Sequence, residues 1–480
     1  MGRGVVLFLS LLVLVTFALL LVNGCGGGSQ QTVITPPPPP PPPPKIQHIV
    51  IIVQENRTPD NLFHDQNLIN AGADLASSGM NSQGQTIQLG VQPLGNDYDL
   101  NHKHSGFLDL YDNGKMDGAD KVNVTCDDTP GCPPPNPQFM YVNPSDVQPY
   151  FDMAEQYTFA DRMFQTNQGP SFAAHQILIS GTAQPEVGST VWVAENPQGI
   201  TKSGADTGCT APPAEYVYIL DADGNESSTV YPCFEHPTLT DQFDSKNISW
   251  KYYAPAAGSL WTAPNAIEHM CGPDQPPPNA TTCLGSDWVN HVVLYTTPDP
   301  APMLDDIANG QLPQVSWIIP TGKNSDHAGH PTYNEGPSWV ASIVNAIGNS
   351  QYWADTAIIL TWDDWGGWYD HVPPPKIVND GSSWGSGSIY GFRVPLVVIS
   401  PYAKAAYISH VNHDFGSILK LVENTFSLQA LGYADSFALD DLSDCFDFNQ
   451  TPLVFKTINA PLPASHFQHD KTPPEGPDDD

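Results

Sequence analysis

Several runs of this chain are apolar almost without interruption. They are "IQHIVIIVQEN" (46–56), "QVSWIIP" (314–320), "TAIILTW" (356–362) and "PLVVIS" (395–400). A strand with one wet face alternates apolar and polar residues, whereas a strand covered on both faces does not. These runs therefore predict fully buried strands. "DVQPYFDMAEQYTFADRMF" (146–164), "NEGPSWVASIVNAIGNSQYW" (334–353) and "DFGSILKLVENTF" (414–426) carry helical spacing instead. Strand–helix–strand alternation of this kind predicts an α/β fold, with a mostly parallel central sheet and helices on both faces. Residues 184–290 are richer in Pro, Gly, Cys and Thr and read as a loop-rich insertion or cap, interrupted by one strand, "ISWKYYA" (248–254).

The first 45 residues do not belong to that body. Arg3 precedes an apolar run, Val5–Val22, and then "LVNGCGGGS". Gly24 before Cys25 is like a bacterial lipobox, in which the cysteine is lipidated after cleavage. An uncleaved transmembrane anchor or a plain secretory signal is the alternative, and all three export the rest. Pro36–Pro44 is an unbroken proline run, a polyproline II rod of roughly 28 Å at ~3.1 Å per residue. The expected organisation is a signal peptide at 1–24, then a lipidated Cys25 and a Gly/Pro-rich stalk at 25–45. A catalytic body follows at 46–463, with a disordered acidic tail at 464–480. The expected location is the cell envelope, with the membrane reached through the lipid or anchor. In that oxidising setting Cys126/Cys132, Cys209/Cys233 and Cys271/Cys283 read as loop disulfides, with Cys445 left over.

Net charge is −34 with only 17 Lys and Arg, which argues against nucleic acid as a partner. The same balance does not exclude an anionic substrate. Salt screens the long-range field beyond ~8 Å, and at contact a bound cation dominates.

In open parallel sheets ligands bind beyond the carboxyl ends of the strands. Glu55 and Asn56 follow the first buried strand, and Asp363 and Asp364 follow "TAIILTW". Adjacent strand residues point to opposite faces, so the two aspartates can meet only where the strand has ended, and Gly366 and Gly367 permit that turn. Like charges held together call for a cation or a shared proton. Three carboxylates and an amide oxygen, with no His or Cys, form a hard-oxygen set that fits Ca2+, Mg2+ or Mn2+ better than Zn2+. The plainer reading is a solvated turn for the aspartates and a helix cap for Glu55 and Asn56.

"NQGPSFAAHQILISGT" (167–182) places Ser171 at or next to a helix N-terminus, where an anion is favoured. Ser171 is either a nucleophile that also contacts the metal or an ordinary N-cap. His102 and His104, His327 and His330, and His371 lie in loops; near a bound phosphate, histidines there would bind its oxygens or protonate the leaving group.

Taken together these stretches resemble the bacterial phosphoesterase family of secreted phospholipases C and related acid phosphatases. The matching segments are "HIVIIVQENRTPDNLF", "DLNH…NGKMDG", "GPSFAAHQILISGT", "SWIIP…DHAGHP", "TWDDWGGWYDHVPPP" and "YGFRVPLVVISPYAK". The resemblance implies an alkaline-phosphatase-like α/β fold. It implies one or more divalent cations held by Glu55, Asn56, Ser171, Asp363 and Asp364, Ser171 as the residue that is phosphorylated, and His102 and His327 on the phosphoryl group. The substrate would be a phosphate mono- or diester, phospholipid included. The chain departs from the pattern at Thr58-Pro59, and at "DHAGHP", where His330 competes with His327. It also has a single N-terminal arginine where relatives often carry two. A sulfatase-like hydrolase shares the fold, but its Cys/Ser-x-Pro-x-Arg motif is missing around Ser171. The non-enzymatic alternative is a surface lipoprotein with an inactive site.

Overall fold

The computed structural model describes residues 45–126, 130–199, 207–221, 223–377 and 389–474. The expected signal peptide, lipidated Cys25 and almost the whole proline stalk lie outside the described residues. Among the described residues no helix is long and apolar enough to cross a membrane.

The expected α/β class and mostly parallel sheet are those observed. In chain order the central strands are β1 (His48–Gln54), β2 (Thr158–Phe164), β3 (Trp250–Ala254), β4 (Val292–Leu294) and β5 (Val315–Ile318). They continue with β6 (Thr356–Trp362), β7 (Arg393–Ile399), β8 (Tyr407–Ser409) and β9 (His413–Asp414). Their spatial order is β4-β3-β5-β1-β6-β7-β2-β8, with β9 also on β2. β1 sits near the middle, parallel to β5 (Ile49 opposite Val315) and to β6 (Ile51 opposite Ile359). Every residue of β5, β6 and β7 is buried, as strands covered on both faces must be. The longer helices are α1 (Gln148–Gln156), α2 (Ser171–Ser180), α3 (Gly336–Gly348) and α4 (Phe415–Phe426). Helix α2 packs on α4, and α1 on α3.

Three expectations need correction. The helix expected over 146–164 stops at Gln156, and Thr158–Phe164 is β2. Its residues pair with β7 on one side and β8 on the other, and long-range pairing outweighs local helical spacing. Residues 184–290 are not one insertion, because β3 lies inside the central sheet between β4 and β5. The part outside that sheet includes a small antiparallel sheet of Trp192–Val193, Val217–Leu220 and Glu226–Val230. "PLVVIS" is the buried strand expected, and within the mostly parallel sheet this β7 runs antiparallel to β6 and β2. The tail is ordered at its start. Ala464–Gln468 is a helical turn, Phe467 is buried, and Asp470 meets Lys323 at 3.1 Å.

The three expected disulfides, Cys126–Cys132, Cys209–Cys233 and Cys271–Cys283, are formed, and Cys445 is buried and free. Because β7 is antiparallel to its neighbours, its first residue, Arg393, lies at the edge where β1, β2, β5 and β6 end. That edge carries the functional groups.

Candidate active site

The two strand ends expected to converge do so. β1 and β6 are register partners to their last residues, Gln54 opposite Trp362, so Glu55 and Asp363 leave the sheet side by side. The Asn56 N–H donates to Asp363 Oδ1 at 3.1 Å, and the Asp364 N–H donates to the same oxygen at 2.7 Å. Asn56 holds φ at +61°, a left-handed conformation that asparagine tolerates better than most residues. Gly366 has φ +62°, and a Cβ there would lie 2.3 Å from the Asn56 carbonyl oxygen. The glycine is therefore fixed by both conformation and space. Glu55 and Asn56 do not cap the next helical turn, since Thr58 does, accepting from the Asn61 N–H. Glu55, Asn56, Asp363 and Asp364 are all completely buried, so the solvated-turn reading fails as well.

Ser171 is the first residue of α2, and its side chain caps nothing. Its hydroxyl lies 3.0 Å from Asp364 Oδ2 and 3.4 Å from Glu55 Oε2. A hydroxyl has one proton and donates to the nearer oxygen. The adjacent Phe172 N–H is held by Asn196 Oδ1 at 2.9 Å. One turn on, His175 Nε2 is 3.2 Å from Glu55 Oε1 and 3.8 Å from Asp363 Oδ2. Sequence reading missed His175, although positions i and i+4 share a helix face, so the signal was present in "SFAAH".

His102 and His327 arrive from distant loops and meet at Asn56. Their Nε2 atoms lie 3.2 Å and 3.0 Å from Asn56 Nδ2. In each ring Nδ1 is 2.8 Å from a backbone carbonyl, of Leu100 and of Ala328. Nδ1 therefore carries the proton in both, and each presents Nε2 to the site. With two ring acceptors fixing its NH2 group, the Asn56 amide turns Oδ1 the other way, where it has no hydrogen-bond partner. His330 instead stacks on Tyr333 at 4.1 Å between ring centres. The His327 loop is gripped by β1. Gln54 Nε2 donates to the Asn324 carbonyl, Gln54 Oε1 accepts from the Asp326 N–H, and Arg57 Nε donates to the Asp326 carbonyl.

The electrostatics of this group are strained as it stands. Burial, and then Asp363, pushes Glu55 well above the usual carboxylate range. Burial and Asp363 push Asp364 up to about 8. Burial pushes His175 down to about 4, so the nearest nitrogen supplies no compensating charge. Asp363 Oδ2 and Asn56 Oδ1 are buried without a hydrogen-bond partner. Unpaired oxygens beside three mutually repelling carboxylates fit a divalent cation. Glu55, Asp363, Asp364, Asn56 and the Ser171 hydroxyl are the residues that would hold it.

A profile of the phosphoesterase family matches residues 46–429. The chain belongs to the phosphoesterase family. It is 24% identical to phospholipase C A of Mycobacterium tuberculosis, over 85% of this chain and 78% of that protein. It is 24% identical to the hemolytic phospholipase C of Pseudomonas aeruginosa, over 84% of this chain and 56% of that protein. A solved protein of the alkaline phosphatase superfamily from Vibrio parahaemolyticus aligns over 82% of this chain and 70% of that one. It does so at 10% identity with a TM-score of 0.36. This phosphoesterase is a hydrolase acting on phosphoric esters.

His371, at the end of the same Trp- and Asp-rich stretch, is not part of this group. It joins a second, partly buried cluster, where Nδ1 is 2.7 Å from Asp60 Oδ2 and Nε2 is 3.0 Å from Asp74 Oδ1. Arg393 lies in the same cluster, 2.8 Å from Asp370 and 3.3 Å from Asp60.

Proposed function

We propose that this phosphoesterase is a cation-dependent phospholipase C-type phosphodiesterase that works through a phosphoserine at Ser171. The observation carrying the reading is the Ser171 hydroxyl seated 3.0 Å from Asp364 and 3.4 Å from Glu55, in a buried carboxylate group with no cationic side chain of its own. The two named relatives, both phospholipases C, support a phospholipid diester over a monoester.

The cation, when bound, would neutralise the carboxylates and lower the cost of bringing a phosphate anion to an alcohol nucleophile. The remaining steps belong to the chain. Ser171 Oγ attacks phosphorus and gives up its proton toward Asp364, its present acceptor. The P–O bond to the leaving alcohol breaks, and that oxygen takes a proton from Nε2 of His102 or His327, whichever ring enters the cycle as an imidazolium; the attacking water later returns a proton to that ring, and Asp364 returns its proton to Ser171. Both rings have Nδ1 committed to backbone carbonyls and Nε2 turned to the site. Water then attacks the phosphoserine, releasing the phosphorylated product and restoring the hydroxyl. The fixed α2 N-terminus keeps the nucleophile in place throughout.

The test is turnover of p-nitrophenylphosphorylcholine and p-nitrophenyl phosphate, with and without EDTA, by the wild type and by Ser171→Ala. The expected result is EDTA-sensitive turnover that favours the diester and falls at least ~10³-fold in the variant. An acid quench should trap phosphorylcholine from the diester, or phosphate from the monoester, on the peptide containing Ser171. A folded Ser171→Ala protein with wild-type turnover would end the serine route. Turnover indifferent to EDTA would end the cation requirement.

A further inference from the structure

We propose that His175 is the positioning residue for Glu55: its Nε2–H donates to Oε1 and leaves Oε2 turned toward Ser171. This rests on the cation-dependent reading above and deepens it. The two oxygens of Glu55 face different partners. Oε1 lies 3.2 Å from His175 Nε2, and Oε2 lies 3.4 Å from Ser171 Oγ. Ser171 and His175 stand one turn apart on α2, so a single rigid helix places both the hydroxyl and the ring against one carboxylate.

Two roles are open to a buried ring here: ligand to the cation, or donor to a ligand. The other ring nitrogen distinguishes them. Nδ1 is buried and has no hydrogen-bond partner. If Nε2 were a ligand, the ring proton would sit on Nδ1 as a buried donor without an acceptor. Orphaned buried N–H groups are rarer than under-used acceptors. Metal-bound histidines almost always give that second proton to a partner. With the proton on Nε2 the ring donates to Glu55, and Asp363 Oδ2 at 3.8 Å shares the polarisation. Only an acceptor lone pair is then left over. The cation's own donors would remain oxygens.

Two measurements on the full chain test this. Long-range ¹⁵N–¹H spectra of metal-free wild-type protein should place the proton of His175 on Nε2. A proton on Nδ1 would overturn the proposal, and this reading needs no variant to fold. The second is Mn2+ affinity by calorimetry for wild type, His175→Leu and His175→Gln, each checked for folding by circular dichroism. His175→Leu should weaken Mn2+ binding ~10–100-fold, and His175→Gln, which keeps an N–H donor, should recover most of it. Wild-type affinity in a folded His175→Leu protein would reduce His175 to packing. His175→Gln as weak as His175→Leu, with a changed Co2+ visible spectrum, would make His175 a ligand. If the wild type binds no divalent cation, the cation-dependent reading has failed, and the tautomer measurement still decides the donor role.

Discussion

Two acidic clusters, one fully and one partly buried, lie at the same edge of the sheet and draw carboxylates from the same two stretches of chain. "ENRTPD" sends Glu55 to one and Asp60 to the other; "TWDDWGGWYDH" sends Asp363 and Asp364 to the first, and Asp370 and His371 to the second. In the second cluster Arg393 bonds both Asp370 and Asp60, and His371 bonds Asp60 and Asp74. Burial alone would raise Asp60, but Arg393 and His371 hold it below the usual carboxylate range. Burial would lower His371, but Asp60 lifts it to about 9. Among the described residues no lysine or arginine pairs with the first cluster, and Glu55 and Asp364 are pushed up instead. The ligand chemistry of the two is alike, since each brings two carboxylates and a histidine within reach of one point. Acidity therefore does not separate the two clusters; a guanidinium within reach does.

The sharpest way to break that contrast is to remove one carboxylate from each side. Glu55→Gln should lower divalent-cation affinity on the order of 10²-fold or more, read by calorimetry, because a charged ligand is lost. Asp370→Asn should leave affinity within a few-fold. Equal losses in the two variants would mean that both clusters serve the cation.

Removing the cation from the second cluster comes next. Arg393→Met leaves Asp60 and Asp370 buried without their counter-charge and should cost ~3–5 kcal/mol in denaturant unfolding. Asp364→Asn in metal-free protein should do the reverse and leave stability unchanged or raised, because it removes a carboxyl that the fold must keep protonated at a cost. A destabilised Asp364→Asn apo protein would sink that account.

The pH dependence of the first cluster should appear only in metal-free protein. In metal-free protein Glu55 and Asp364 hold protons that the unfolded chain releases near pH 4. The contribution of Asp364 is present below that value and is lost as pH rises toward about 8, and Glu55, also raised, acts in the same direction. Asp60 contributes above its unfolded value of ~3.9, and that contribution is lost as pH falls. His371 contributes fully below ~6.5 and loses that contribution as pH rises through about 9. Thermal unfolding in EDTA should therefore weaken from pH 5 to 8 relative to Mn2+-loaded protein. Parallel profiles would contradict this.

The smallest effect concerns the junction between the clusters. Thr58 caps the turn Pro59–Leu62 and donates through its hydroxyl to the Tyr369 carbonyl, tying both stretches together. Thr58→Ala should cost ~1 kcal/mol and leave cation affinity unchanged. A larger loss of affinity would show that the two clusters are coupled.

Much of this was legible beforehand. Uninterrupted apolar runs identified β1, β5, β6 and β7 as buried, because only doubly covered strands dispense with alternation. The strand-end rule then pointed to Glu55, Asn56, Asp363 and Asp364. Thr158–Phe164 was not legible as a strand, since its pairing partners lie more than 200 residues away in sequence. His175 was overlooked because the helix was read for its serine alone.

The sequence by itself determined which residues are polar at the ends of buried strands, because burying a strand on both faces leaves its polar groups only the ends. It did not determine which carboxylates would be neutralised from within. That depended on β7 running antiparallel, which brings Arg393, 30 positions after Asp363, to the edge where the other strands finish. One guanidinium can satisfy only the carboxylates it touches, so Asp60 and Asp370 became an ion pair network, and Glu55, Asp363 and Asp364 were left without one. Charge compensation acts over a few ångströms, and only the tertiary structure decides what lies that close.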